Sequence, residues 1–339
     1  MLMMTIGYIY GNKKFTSEDR LFLRLARAQN LSVVTFPSLR FMSPEQIFKK
    51  AGRCDVILNA SADLVAVEIA KIAEYAGVPV VDQTRSFYYC EDKLLFSLIC
   101  EKNNIPTPKT FLLPLSLHKC RTPIKKLVHE HGAVVIKNIF ADNGEFVARA
   151  KTVTQALALI KKFRKKDLAP LIAQEYVHAS RNVYRVMVLN NRVVQGIVKK
   201  SKHWKCTGDY VRGDAPVFHV PPSLAALCVK IAQVTDIPWC GIDLMKKGDA
   251  WLALEANSCP AMDFVEHDMK RLYQQLLVYM VLVARGHPRA LRAEQSSHDG
   301  HPRTNRAEQS SYDGHPRAVR RAYESAVTEQ LPLLVSEQA

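Results

Sequence analysis

The chain of 339 residues holds 48% hydrophobic and 23% charged residues, a globular balance that leaves room for two or three domains of about 100–200 residues each. Its longest apolar run, residues 276–284, is nine residues against the roughly 20 that a bilayer requires, which excludes a membrane-spanning helix and predicts no membrane partner. The formal charge of +15 sits on the body: residues 285–339 carry 8 basic and 7 acidic side chains, leaving +14 on residues 1–284. That distribution argues against a nucleic-acid-binding tail and for a body that draws in nucleotides and acidic substrates.

Residues 5–10 are a β-rich run ended by Gly11-Asn12, and residues 17–29 have helical apolar spacing at Phe22, Leu23 and Ala26. Strands follow at 31–36, 55–59 and 78–81, with a helix over 62–76. Strands alternating with helices predict a parallel, doubly wound sheet. No G-x-G-x-x-G follows the first strand, so no dinucleotide site is expected there. Residues 91–103 read as a helix stopped before Pro106 and Pro108.

Strands at 133–137 and 145–149 flank the turn Asp142-Asn143-Gly144, and 154–165 is an amphipathic helix with a basic outer face. After a strand at 172–177, Asn190-Asn191 signals a hairpin joining 184–189 to 192–199. Ser223 is the expected cap of a helix over 223–235. A second hairpin joins 239–245 to 250–256 about Lys247-Gly248-Asp249, and 268–285 is a closing helix.

The tail repeats Gly-His-Pro-Arg at 286, 300 and 314, a period of 14 residues with almost no apolar content, and reads as a disordered extension. Residues 1–11 lack a charged leader and a small-residue cleavage site, so no signal peptide is expected. The eight cysteines are scattered without C-x-x-C spacing, which predicts reduced thiols and a cytoplasmic protein. No G-x-S-x-G elbow and no H-E-x-x-H occurs.

The strongest chemical signal is Gly241-Ile242-Asp243-Leu244-Met245 followed by Leu254-Glu255-Ala256-Asn257-Ser258. In an antiparallel hairpin Asp243 falls opposite Glu255 or one residue out of register, and opposed Cβ atoms lie about 4.5–5.5 Å apart. Two carboxylates at that distance repel unless a cation lies between them. Asn257 shares the face of Glu255, and two carboxylates with an amide oxygen suit a hard magnesium ion, or manganese, that also grips phosphates.

This pair of motifs resembles the metal signature of the ATP-grasp superfamily, and most nearly its RimK-like branch of ribosomal-protein glutamate ligases and amino-acid ligases. The resemblance runs from Asp92 to Glu266, with a less specific likeness in the amino-terminal sheet. It implies an α/β and α+β protein: a pre-ATP-grasp, Rossmann-like domain over residues 1–88, two grasping lobes over 89–284, and the tail over 285–339. The implied ligands are ATP and Mg2+ or Mn2+. Lys93 and Lys137 match the phosphate-contacting lysines, and Glu175, Tyr176 and Val177 the hinge whose backbone takes the adenine edge. Asp243, Glu255 and Asn257 match the metal ligands. Arg185 and Arg212 match arginines at the reacting end, with Lys199 as a further cation and Lys200 and Lys205 as cofactor-binding cations around the same mouth.

Three positions depart from the family pattern. The loop 138–145 has one glycine, Gly144; Val183 stands where relatives carry an acid, leaving Asn182 nearest for ribose contact; and Lys205 replaces an arginine of the substrate loop. The function implied is an ADP-forming carboxylate–amine ligase working through an acyl phosphate, with an acidic amino acid or a peptide or protein C-terminus among its substrates. A homo-oligomer is compatible with the sequence. The competing readings are a nucleotide-binding regulatory protein without ligase activity, and a ribosome- or RNA-associated factor motivated by the basic body.

Overall fold

Strand and helix alternate through the first 81 residues because each apolar run is followed by a side chain suited to start a helix. The computed structural model describes residues 3–140, 146–166, 170–178, 182–200, 215–262 and 265–286. In it β1 (Thr5–Tyr10), α1 (Ser17–Ala28), β2 (Ser32–Pro37), α2 (Pro44–Ala51), β3 (Val56–Asn59), α3 (Leu64–Tyr75) and β4 (Val80–Val81) build a parallel sheet in the order β2-β1-β3-β4. Thr16 and Asp19 form a capping box at α1, Ser43 and Gln46 form another at α2, and Asp63 caps α3. Ile9, Phe36, Ile57, Ile69 and Val80 share one core. Helix α2 has no counterpart among the expected elements, although Ser43-Pro44 followed by Gln46 is a helix-start pattern.

The next stretch holds α4 (Thr84–Glu91), α5 (Lys93–Lys102), β5 (Thr110–Leu112), α6 (Arg121–His131), β6 (Val134–Asn138), β7 (Val147–Ala150), α7 (Val153–Lys166) and β8 (Leu171–Glu175). Then come β9 (Asn182–Leu189), β10 (Arg192–Lys200), α8 (Pro222–Val234), β11 (Trp239–Lys247) and β12 (Ala250–Asn257). They give two antiparallel sheets, β5-β8-β6-β7 and β10-β9-β11-β12. Helices α6 and α7 close one face of the first through Ile124, Leu127, Val134, Ile136 and Ile160; α5 and α8 close one face of the second through Phe96, Val186, Ile231 and Ile242. The opposite faces carry Lys137 and Gln174 on the first sheet and Arg185 and Asp243 on the second, beside buried apolar residues such as Ile172 and Met187.

Both expected hairpins form. Asn190 and Asn191 adopt φ of 46° and 63°, the left-handed pair that a two-residue type I′ turn requires, and Gly248 does so at 58° in the second hairpin. The helix expected to be capped by Ser223 instead begins at Pro222, with Pro221 as its cap and no side-chain cap bond, because proline supplies the helical φ without needing a partner for an N–H. Helices α4 and α6 and strand β5 are further elements that apolar spacing alone did not single out.

The described chain divides into two units, Thr84–His267 on one side and the residues up to Gln83 with those from Asp268 on the other. The last helix, α9 (Glu266–Gly286), thus falls with the amino-terminal sheet, whereas the sequence placed it in the region 89–284. Tyr273 explains the grouping: its ring meets Phe22 edge-on at 5.7 Å and its hydroxyl donates to Glu18 at 3.2 Å. The repeats of the tail lie outside the described residues. No helix among the described residues is long and apolar enough to cross a membrane.

Candidate active site

Asp243 lies on β11 between two neighbours in register, Arg185 of β9 and Glu255 of β12. The pairing with Glu255 depends on a bulge. Lys247 pairs with Ala250 and Leu244 with Ala253, so uninterrupted counting would bring Leu254 to Asp243; the ladder instead shifts there, and Glu255 takes the place. Cross-strand partners share a face, so both acids and Arg185 project on the same side. Asn257, paired with Gly241, lies two residues further along that face and donates from Nδ2 to the Gly241 carbonyl at 2.9 Å, which turns its acceptor atom, Oδ1, to other partners. Gly241 keeps the face open: a Cβ there would meet Pro260 Cβ at 2.9 Å, Met187 Sδ at 3.2 Å and Arg185 Cδ at 3.3 Å.

The cations that offset these acids come from protein side chains. Arg185 donates from Nε to Asp243 Oδ1 at 2.7 Å and from Nη2 to Oδ2 at 2.9 Å, and Lys199 of β10 donates to Oδ2 at 2.6 Å. All three side chains are buried. Burial alone would raise the Asp243 pKa, yet the Arg185 and Lys199 charges and their hydrogen bonds outweigh it and bring it down to about 2. Glu255, its side chain 29% exposed, pairs with Lys93 Nζ at 3.3 Å. Its pKa is likewise lowered: burial and Asp243 push it up, and Lys93, Lys137 and Lys199 more than offset them.

Lys93 opens α5 behind Asp92, whose side chain caps the helix by accepting from the Leu94 and Leu95 amides at 2.9 and 3.0 Å. Lys137 projects from β6 on the face away from the α6–α7 core and donates to Gln174 Oε1 at 2.7 Å. Burial chiefly, with Lys93 beside it, lowers the Lys137 pKa to about 8 against the opposing pull of Glu255.

Residues 175–177 are fixed by contacts the sequence did not announce. Glu175 ends β8, and its carboxylate accepts from Lys247 Nζ at 2.6 Å and from the Lys109 amide at 3.2 Å, with His131 Nδ1 at 3.4 Å. Burial works against its charge, but these partners hold its pKa below the usual range. Lys247 belongs to the β11–β12 hairpin, so this ion pair joins the two sheets. Tyr176 accepts from Arg149 Nη1 at 2.9 Å, and Val177 is buried. The backbone of Tyr176 and Val177 comes just after the end of the β8 ladder.

Of the site residues expected from the sequence, Lys93, Lys137, Glu175, Tyr176, Val177, Arg185, Asp243, Glu255 and Asn257 fall within Thr84–His267. Lys205, Arg212 and Gly144 lie outside the described residues, and for Lys200 only the backbone pairing with Asn182 is described. Sequence reasoning left Lys199 among undifferentiated cations, and it gave no role to Glu91, whose Oε1 accepts from Ser258 N at 2.9 Å and Ser258 Oγ at 3.0 Å. The alternation of strand faces could have separated Lys199 from its neighbour. Nothing in the local pattern could have paired residues 91 and 258.

Among the described residues no group of three or more His, Cys, Asp or Glu side chains is disposed to hold a metal. Two carboxylates and the Asn257 oxygen remain a set of hard donors on paired strands. Asp243 can accept further, since three bonds occupy fewer than the roughly four lone-pair sites of a carboxylate. The residues present therefore fit a magnesium ion.

Two antiparallel sheets, one carrying Lys137 and Glu175 and the other the paired acids, make the frame of an ATP-grasp protein, and solved structures bear out the fold. The RimK domain ATP-grasp protein of Sphaerobacter thermophilus superposes with a TM-score of 0.62 at 17% identity, covering 78% of this chain and 96% of that one. The ligase PsnB, solved with a precursor variant, Mg and ADP, gives 0.59 at 15% identity, covering 82% and 99%. The chain belongs to the RimK-like ATP-grasp family, whose domain profile matches residues 90–280. A probable alpha-L-glutamate ligase of Alkalilimnicola ehrlichii is 29% identical over 213 residues, 62% of this chain and 69% of that protein. The chain is thus an ATP-grasp carboxylate–amine ligase, and the family uses ATP and magnesium.

Proposed function

We propose that this chain is an ADP-forming ligase that takes an acidic amino acid, or a peptide ending in a carboxylate, as one of its substrates. The carrying observation is the register of Asp243 with both Glu255 and Arg185, with Lys93 at the edge of the same acid pair. In this reading a substrate carboxylate oxygen attacks the γ-phosphorus of ATP and ADP leaves. An amine nitrogen then attacks the acyl carbon, the carbon–oxygen bond to phosphate breaks, and the amine releases its proton to water. Forming the acyl phosphate converts a poor leaving oxygen into phosphate.

Lys93 and Lys137 hold the phosphates, and the backbone from Glu175 to Val177 receives the adenine edge. Asp243, Glu255 and Asn257 would hold magnesium, which when bound supplies positive charge against the phosphate oxygens. Arg185 and Lys199 keep Asp243 ionised and oriented, so Arg185 acts through Asp243 as well as at the reacting end. Arg212, with Lys200 and Lys205, steadies the anionic intermediates; a planar guanidinium grips a carboxylate in two places where an ammonium grips in one. The probable alpha-L-glutamate ligase among its relatives supports an acidic substrate. The absence of disulfides among the seven described cysteines supports a reducing, cytoplasmic setting.

The test is a competition assay in which acidic, neutral and basic amino acids are offered together with ATP and the products are read by mass spectrometry. ADP release coupled to amide products that contain an acidic amino acid is expected. Amides formed from basic or apolar amino acids with no acidic partner would overturn the substrate class. ATP turnover with no amide product from any acceptor, peptides included, would overturn the ligase reading.

A further inference from the structure

We propose that Glu91 is a positioning residue for the metal-binding end of β12, holding Asn257 and Glu255 in place through Ser258. The inference rests on the reading of Asp243, Glu255 and Asn257 as magnesium ligands. Three consecutive residues at the α4–α5 junction carry it. Glu91 grips Ser258, Asp92 caps α5, and Lys93 pairs with Glu255. The same junction therefore reaches Glu255 on β12 and Ser258 just beyond it, one contact on each side of Asn257.

The Ser258 N–H belongs to the peptide plane that follows Asn257. Capturing it at 2.9 Å restrains that plane, and with it the backbone from which the Asn257 side chain projects. From the other side Asn257 is held by the Gly241 carbonyl at 2.9 Å. Ser258 is buried, so its N–H and hydroxyl would be costly to leave unpaired, and Glu91 satisfies both on one oxygen. Burial raises the Glu91 pKa, opposed by the Ser258 amide bond and by Lys93. With both donors on Oε1, a neutral amide oxygen can reproduce the arrangement, which gives the test a conservative rescue. Residues that orient ligands without touching the metal typically matter for affinity by about 10–100-fold.

The experiment measures Mn2+ binding to the full chain in the presence of ADP by electron paramagnetic resonance, together with each variant's melting temperature. Glu91→Ala is expected to weaken Mn2+ about tenfold or more, whereas Glu91→Gln stays within about threefold of the parent. Ser258→Ala, which keeps the N–H bond, falls between them, and it supplies the reading if Glu91→Ala does not fold. Unchanged Mn2+ affinity in Glu91→Ala, or in Ser258→Ala where that variant stands in, overturns the inference, as does a lowered melting temperature with affinity intact. Glu255→Gln separates the two levels: if it weakens Mn2+ while Glu91→Ala does not, the positioning role alone fails. If neither variant weakens Mn2+, the metal site fails and the inference falls with it.

Discussion

The two sheets of Thr84–His267 hold charge in different ways. In β5-β8-β6-β7 the site-facing cation Lys137 is bonded to the neutral amide of Gln174, while in β10-β9-β11-β12 Asp243 takes three charge-assisted bonds from Arg185 and Lys199. A buried charge with a neutral partner loses part of its preference for the ionised form; one ringed by opposite charges gains it. Lys137 therefore titrates closer to neutral pH than an ordinary lysine, while Asp243, and on the first sheet Glu175, are held ionised by opposite charges.

The largest effect should come from breaking the acid's side of that contrast. Asp243→Ala leaves Arg185 and Lys199 buried without their shared partner, a loss of about 3–5 kcal/mol by the usual cost of breaking a buried ion pair. Urea unfolding measures it. A change within experimental scatter would show that water or another acid replaces the carboxylate.

The titration difference is the next test. Lys137 has its pKa lowered from 10.5 to about 8, so between those values the unfolded chain binds the extra proton and the folded chain does not. Stability contributed through Lys137 should rise with pH across that window. Over the same rise the folded lysine loses its charge, and the KM for ATP should climb above about pH 8 unless phosphate binding holds the proton on. Asp243 runs the other way: with its pKa lowered from 3.8 to about 2, its contribution is present above 3.8 and is lost as pH falls through that interval. Lys137→Arg should abolish the alkaline inflection in both readings and leave the acid limb unchanged. An inflection that survives would assign it to another group.

The smallest effect belongs to the ion pair between the sheets. Lys247 is 47% exposed, so Lys247→Ala should cost no more than about 1 kcal/mol, and salt should reduce that further. Glu175 keeps the Lys109 amide as a partner. A loss well above that range in a thermal melt would mean that the pair fixes the two sheets against each other.

Much of the fold was legible. Alternating apolar runs gave the parallel sheet, and Asn190-Asn191 and Gly248 gave both hairpins, because left-handed turn positions select their residues locally. Helices α2 and α6 were harder to see. The α2 signal lies in its cap, and α6 has only Ile124 and Leu127 buried within a charged stretch. Among the candidate site residues, Lys93, Lys137 and the acids were proposed from motifs, whereas the contact of Glu91 joins positions 167 apart in the chain.

By itself the sequence determined that two acids would share a hairpin and that lysines would come from a helix start and a strand end. Local turn chemistry and strand periodicity are enough for that. Only the tertiary structure decided that a bulge brings Glu255, and not Leu254, opposite Asp243. It also made Arg185 and Lys199 the partners of Asp243, and grouped α9 with the amino-terminal sheet through Tyr273. Register shifts and ion-pair choices are settled by which neighbours desolvate and neutralise a group, and those neighbours lie on strands and helices far apart in the chain.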